Sequence, residues 1–262
     1  MRRMDNTELL TLFDHQLRRE FRGEHPDDLV ENTGRVIRHI ATGDGGWCGV
    51  IWSDLDEQSA DCEIAAQVEH FTALGRAFEW KLYEHDRPAD LGERLVNAGF
   101  RADKREALMV ANVAELPTEP VLPEGVRIEP VTDVAGVHLM FEAHDRAFGA
   151  PAPRLKREML YRAEHSPETL TALVVLAADR PICSARMQFN EGTDFASLWG
   201  GGTVPQWRGK GVYRATVAYR AALAADRGYR FLQVDALHDS RPILARLGFR
   251  ILSTTTPYSY EP

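Results

Sequence analysis

Val204-Pro205-Gln206-Trp207-Arg208-Gly209-Lys210-Gly211-Val212-Tyr213-Arg214 is the stretch on which the reading of this chain turns. Two glycines spaced by one residue stand between an apolar, strand-like run and an Ala-rich helical one. Without a Cβ at Gly209 or Gly211, the loop amides can converge on one anion. The helix that follows adds unpaired N–H groups and the positive end of its dipole. Such a loop suits a phosphate or pyrophosphate. A Walker loop needs four residues between its first Gly and its Gly-Lys-Ser/Thr, and Val212 stands where the hydroxyl belongs. The dinucleotide fingerprint G-x-G-x-x-G fails at Arg214, three positions after Gly211.

The flanks extend the pattern. Phe195-Ala196-Ser197-Leu198-Trp199 reads as a buried strand, and Gly200-Gly201-Gly202 can bulge or admit a ligand against the backbone. Val212 to Asp226 reads as a helix with Val217, Ala218, Ala221, Ala222 and Ala225 on one stripe, closed by Gly228. Phe231-Leu232-Gln233-Val234-Asp235 alternates as a strand. Asp239-Ser240 is placed to cap a short helix with Pro242 in its first turn, ended by Gly248-Phe249. The match Q/R-x-x-G-x-G/A at Gln206, Gly209 and Gly211, in this order of elements and with Leu247-Gly248-Phe249 at the end, resembles the GNAT superfamily of N-acetyltransferases.

That resemblance implies an α/β fold with a mixed sheet and acetyl-CoA as co-substrate. It implies that the pantetheine arm lies along Gly202, Thr203 and Val204 as an added strand would. The pyrophosphate would rest on the amides of Arg208, Gly209, Lys210, Gly211, Val212 and Tyr213, with Ser240 within reach of the sulfur or the pantetheine. The expected activity is direct transfer of an acetyl group to a small amine in a ternary complex.

A faint repeat points to two such domains in tandem. Glu84-His85-Asp86-Arg87-Pro88 leads to Ala98-Gly99-Phe100-Arg101, as His238-Asp239-Ser240-Arg241-Pro242 leads to Leu247-Gly248-Phe249-Arg250. The two Gly-Phe-Arg triplets lie roughly 150 positions apart, about half the chain. Each helix is preceded by an apolar strand, Phe78 to Tyr83 and Phe231 to Asp235. Pro117, Pro120, Pro123 and Gly125 mark a linker, which gives a degenerate domain over 1–120 and an acetyltransferase domain over 121–262. Between Trp52 and Phe78 the first copy offers Gly75 alone, so it has no converging amides for a pyrophosphate. Such a half serves packing, homodimer formation or a wall of the acceptor cleft.

Composition sets outer bounds. The chain has 262 residues, 44% hydrophobic and 27% charged, with a net charge of -8 and no dense Lys/Arg run, which disfavours nucleic acid as a partner. No segment is apolar for long enough to span a bilayer, and Met1-Arg2-Arg3-Met4-Asp5 precedes an amphipathic helix instead of a signal-peptide core. Cys48, Cys62 and Cys183 are scattered, as expected of reduced, buried thiols in a cytoplasmic protein without a metal site.

Acetyl transfer from a thioester needs an amine with a free lone pair, a proton acceptor and stabilisation of an oxyanion. Where the family carries a Tyr four residues before the "GF" glycine, this chain has Leu244, and Leu237 replaces an Asn common earlier in that segment. The weak candidates for acid or base are Ser240, Asp235, His238 and Glu142, with His144, Asp145 and Asp194 beside them. The region 137–162, with Phe141, Phe148, Met159 and Tyr161, stands where the family builds its acceptor pocket. Two alternatives stay open: a non-catalytic acyl-CoA-binding or regulatory protein, and a relative of tandem GNATs that use aminoacyl-tRNA.

Overall fold

The computed structural model describes residues 4–23, 27–42 and 46–262; Met1-Arg2-Arg3 lie outside them. In chain order the elements are α1 (Asn6–Phe13), β1 (Leu29–Asn32), β2 (Val36–Ile40), β3 (Gly49–Ser53), α2 (Ala60–Ala73), β4 (Phe78–Tyr83) and α3 (Leu91–Asn97). After them come β5 (Arg101–Ala102), β6 (Glu106–Asn112), β7 (Val126–Pro130), α4 (Val134–Phe148), α5 (Pro153–His165), β8 (Ala172–Ala177) and β9 (Arg180–Phe189). The last are β10 (Phe195–Thr203), α6 (Val212–Asp226), β11 (Phe231–Ala236), α7 (Arg241–Arg246) and β12 (Arg250–Tyr260).

These elements form two compact units that do not follow the sequence division expected near residue 120. The first gathers Met1–Met109, Asp235–Pro242 and Arg250–Pro262; the second holds Val110–Val234 and Ile243–Phe249. The final strand, expected in the C-terminal domain, therefore belongs to the first unit.

In the first unit the strand order is β1-β2-β3-β4-β12, with β5 against β12. β3 and β4 run parallel through Gly49↔Glu79 and Val50↔Trp80, joined by the crossover helix α2. β4 then pairs antiparallel with β12 from Tyr83↔Thr255 to Phe78↔Tyr260. The core is aromatic: Phe71 stacks on Phe78 at 4.2 Å, and Phe100 meets Phe78 edge-on at 5.2 Å. The buried Arg18, just past α1, is held by Asp14 at 2.8 Å and by both oxygens of Asp86, with its guanidinium 4.2 Å from the Tyr83 ring. Burial alone would raise the Asp14 carboxyl, but its hydrogen bond to His85 and the charge of Arg18 outweigh this and hold it low.

In the second unit the order is β11-β10-β9-β8-β7. All neighbours are antiparallel except β10 and β11, which are joined by α6. α4 starts at Asp133, whose carboxylate accepts from Gly136 N at 2.7 Å, and ends at Gly149 in a left-handed conformation. Val137, Met140 and Phe141 of α4 meet Met159 of α5 over Val174 and Leu176 of β8. On α6, Val212 packs with Val175, Cys183, Ala185 and Val204. Cys48 and Cys183 are buried as expected, but Cys62 is exposed: it lies on the outward face of α2.

Candidate functional site

The second unit assembles the loop. Pro205–Trp207 form one 3-10 turn, Arg208 returns to an extended conformation, and Gly209 and Gly211 adopt φ of +75° and +84°. A Cβ at Gly209 would touch nothing within 4 Å, and one at Gly211 would meet only Arg214 Nη2 at 3.9 Å. Glycine is required here for its left-handed backbone, and steric room is not the constraint the sequence suggested. Gly211 is also the N-cap of α6, so no side chain caps this helix, and its first turn holds no acid. Its leading N–H groups thus carry the positive end of the dipole without a compensating carboxylate from their own turn.

Arg208 is not a loose cation. Its Nε donates to Thr203 O at 3.1 Å and its Nη2 to Ala147 O at 3.1 Å, which ties the loop to β10 and to the end of α4. Lys210 lies over the Trp207 ring at 4.5 Å.

β10 opens the site. It is in register with β11 only from Phe195↔Phe231 to Ser197↔Gln233, although β10 continues to Thr203. Its pairing with β9 slips between Trp199 and Gly202, at the glycine run. Two of those glycines are required by close approach. A Cβ on Gly201 would stand 2.8 Å from the Tyr213 ring, and one on Gly202 would stand 2.6 Å from the Phe148 ring.

The three strand residues differ in what they offer. Val204 donates its N–H to Ile182 O at 2.9 Å, accepts from Trp207 N at 2.9 Å, and buries its side chain. Its neighbour Thr203 stands opposite Cys183, between the Val204–Ile182 and Gly202–Ser184 pairs. Antiparallel pairs alternate, so the backbone groups of Thr203 point away from β9; its carbonyl accepts from Arg208 Nε, and its N–H is turned from β9 as well. Its hydroxyl donates to Cys183 Sγ at 3.3 Å.

The structure scatters the acid–base candidates. In the second unit, Glu142 lies on the exposed face of α4, 3.6 Å from Arg146. Asp235, His238 and Ser240 fall in the first unit. His238 is 99% exposed beside Asp239. The Ser240 hydroxyl donates to Leu237 O at 3.2 Å in a turn, so it caps no helix in this conformation. Asp235 is buried in an ion pair with Lys81 of β4. Near that pair, burial and the Asp235 charge push the Glu106 carboxyl up to about 7. Leu244, at the position of the missing Tyr, is 0% exposed in the core.

His144 emerges from the group that the sequence could not rank. It is half-buried on α4 with Nδ1 3.2 Å from Asp145 Oδ1, and its ring centroid is 4.6 Å from that of Phe148, which covers Gly202. The spacing His144–Phe148, one helical turn, carries the signal that could have found it. Of the expected pocket residues, Phe141 and Met159 are core, whereas Phe148 is 47% and Tyr161 63% exposed.

The second unit thus combines a parallel strand pair that opens, a glycine loop and an uncapped helix in one fold. Solved structures share it. The GCN5-related N-acetyltransferase from Kribbella flavida is 16% identical, with a TM-score of 0.66 over 98% of this chain and 94% of its own. That from Sphaerobacter thermophilus is 15% identical, with a TM-score of 0.60 over 87% of this chain and 76% of its own. A tandem GNAT protein from the clavulanic acid biosynthesis pathway is 11% identical, with a TM-score of 0.59 over 92% and 86%. No family model and no curated protein matches the sequence. The fold is that of the GCN5-related N-acetyltransferases, in its tandem form.

Proposed function

We propose that this protein is an acetyl-CoA-dependent N-acetyltransferase acting on a small amine, with one working site per chain, in the second unit. The observation that carries this reading is the uncapped start of α6. There the left-handed Gly209 and Gly211 precede a first turn without acids, at the end of a strand that has left its parallel neighbour. The pyrophosphate would take the amides of Arg208 to Tyr213. The pantetheine would pair with the backbone of Thr203, beside Gly202, while Val204 contributes wall and no hydrogen bond. The thioester would then reach Gly200 and Gly201. The amine lone pair attacks the thioester carbon there, the C–N bond forms, the C–S bond breaks, and the amine proton ends on the departing thiolate by way of a base or water. We assign the base to His144, oriented by Asp145. A cytoplasmic location, an acceptor that is not a nucleic acid or a membrane lipid, and homodimer formation belong to the same proposal. Among the described residues no helix is long and apolar enough to cross a membrane.

Leu244 supports a second reading, a non-catalytic acyl-CoA-binding protein, because a buried Leu offers the thiolate no proton. Calorimetry with acetyl-CoA tests the site, and thiol release with a panel of small amines separates the two readings. Saturable binding with thiol release that depends on an amine supports the enzyme. Binding with no release from any amine supports the second reading, and no binding ends both.

A further inference from the structure

Two arginines of this chain are buried to about the same degree and are compensated differently. Arg18 lies between the carboxylates of Asp14 and Asp86. Arg220, on α6, is 2% exposed, and no carboxylate among the described residues pairs with it. Its partners are neutral: Nε donates to Thr216 O at 3.0 Å, Nη1 to Arg186 O at 3.0 Å, and Nη2 to Thr216 Oγ1 at 3.4 Å. The ionisable groups that act on its charge are Tyr213 and Cys183, and burial pushes the Cys183 thiol up to about 11, so that it supplies no counter-charge near neutral pH. A guanidinium has five N–H groups and three are engaged here. Keeping such a charge out of water without a counter-ion is costly, and a neutral side chain could have bonded the same carbonyls.

Its place in the fold says what the charge faces. Arg186 stands opposite Trp199, the last β10 residue in register before the slip at the glycine run. By taking the Arg186 carbonyl, Arg220 holds β9 where the ladder breaks. Its Nη2 lies 3.5 Å from the point that a Cβ on Gly201 would occupy. The positive charge thus stands directly behind the glycine run, on the α6 side.

We propose that Arg220 is a positioning residue for acyl transfer, bracing the β10 bulge through Arg186 O and polarising the thioester carbonyl brought to Gly200–Gly201. The inference rests on the proposed function, which sets that carbonyl beyond Thr203. As the amine adds to the thioester carbon, the carbonyl oxygen gains negative charge, and a fixed cation in a dry setting lowers the energy of that charge. The cation makes no bond to the substrate. When the oxyanion collapses, the carbonyl re-forms, the thiolate leaves with the C–S electron pair, and the proton lost by nitrogen ends on that thiolate.

The test is infrared difference spectroscopy of carbonyl-13C-labelled acetyl-CoA bound to the full chain. Wild type, Arg220→Lys and Arg220→Gln are compared, alongside melting curves and calorimetry with acetyl-CoA. The bound carbonyl stretch should lie below that of free acetyl-CoA in wild type, less so in Arg220→Lys, and least in Arg220→Gln. Acetyl-CoA affinity should change by less than about threefold, because the pyrophosphate rests on the loop and not on Arg220. With an amine that turns over, kcat should fall about tenfold in Arg220→Gln at unchanged KM for acetyl-CoA, less than the loss of a direct oxyanion donor. A variant that folds, binds acetyl-CoA and keeps the wild-type stretch overturns the proposal, as does an identical stretch in the two variants, which would reduce Arg220 to a hydrogen-bond brace. If Arg220→Gln does not fold, the Arg220→Lys stretch decides alone. Wild type that fails to bind acetyl-CoA overturns the proposed function together with this inference, whereas binding without a shifted stretch overturns this inference only.

Discussion

Each unit contains a parallel strand pair joined by a crossover helix, β3-α2-β4 in the first and β10-α6-β11 in the second; neither helix has a side-chain cap hydrogen bond, but the two starts differ in charge. At α2 the protein supplies its own anion. The Asp56 carboxylate accepts from Ser59 Oγ at 2.7 Å, Ser59 N at 2.8 Å and Gln58 N at 3.0 Å, and Asp61 and Glu63 stand in the first turn. At α6 there is no capping side chain and no acid, only Gly211 in a left-handed turn. A groove of about 1050 Å³ does lie along α2 and α3, but Asp61, Glu69 and Asp90 line it. Its Arg94 is already held by Asp61 and Asp90 at 3.0 Å. Every helix start attracts an anion; the start of α2 is met by carboxylates of its own chain, and the first turn of α6 carries none.

The largest expected effect comes from cutting the chain where the sequence suggests. A fragment of residues 124–262 carries β12 but not β4, the strand it pairs with from Tyr83↔Thr255 to Phe78↔Tyr260. Such an unpaired strand is a template for association. Size-exclusion chromatography and melting should show aggregation or no cooperative transition. A monodisperse fragment that melts like the whole chain would show that β12 does not need β4 and that the second unit folds without the first.

Next comes Gly211→Val, which leaves the space almost unchanged and attacks the φ of +84°. A left-handed conformation costs about 1–2 kcal/mol for an ordinary residue and more for a β-branched one, so acetyl-CoA binding should weaken about thirtyfold or more. Calorimetry that returns wild-type affinity would remove the loop from the site. A gentler change makes α6 resemble α2: Arg214→Glu puts one exposed acid into the first turn. Affinity should fall about three- to tenfold, the loss shrinking as salt rises. An effect that does not depend on salt would point to a contact instead of a field.

How much of this was legible depended on how local the cause is. The loop, α6 and the glycine run of β10 could be read because left-handed glycines, an alanine-rich helix and apolar alternation are written within a few residues of each other. The home of β12 could not, since alternation along 250–260 fixes which residues share a face and says nothing about which strand lies beside it. Arg220 was hidden for a related reason. It falls three residues after Val217 on the buried stripe of α6, but the neutral partner that explains it, Arg186 O, lies 34 positions away. Leu244 could be read as a departure from a pattern, and only its burial shows that a Tyr there would have to enter the core.

The smallest expected effect probes the α2 side. The Ser59 hydroxyl and the Ser59 N–H hold the Asp56 carboxyl down to about 2, below its ordinary 3.8. A carboxyl with a depressed folded-state pKa adds stability above its unfolded value, and that stability fades as pH falls through the folded value. Asp56→Ala should therefore melt slightly below wild type at pH 7, with the gap closing between about pH 4 and pH 2. The same variant asks whether the carboxylate is all that separates the two helix starts. Removing it frees Gln58 N and Ser59 N, but Asp61 and Glu63 remain in the turn, and no left-handed glycine pair turns the preceding amides towards one point. Calorimetry of Asp56→Ala with acetyl-CoA should thus still return one site per chain. A second site would show that a single carboxylate had closed the first unit to anions, and that the geometry of Gly209 and Gly211 counts for less than its charge environment.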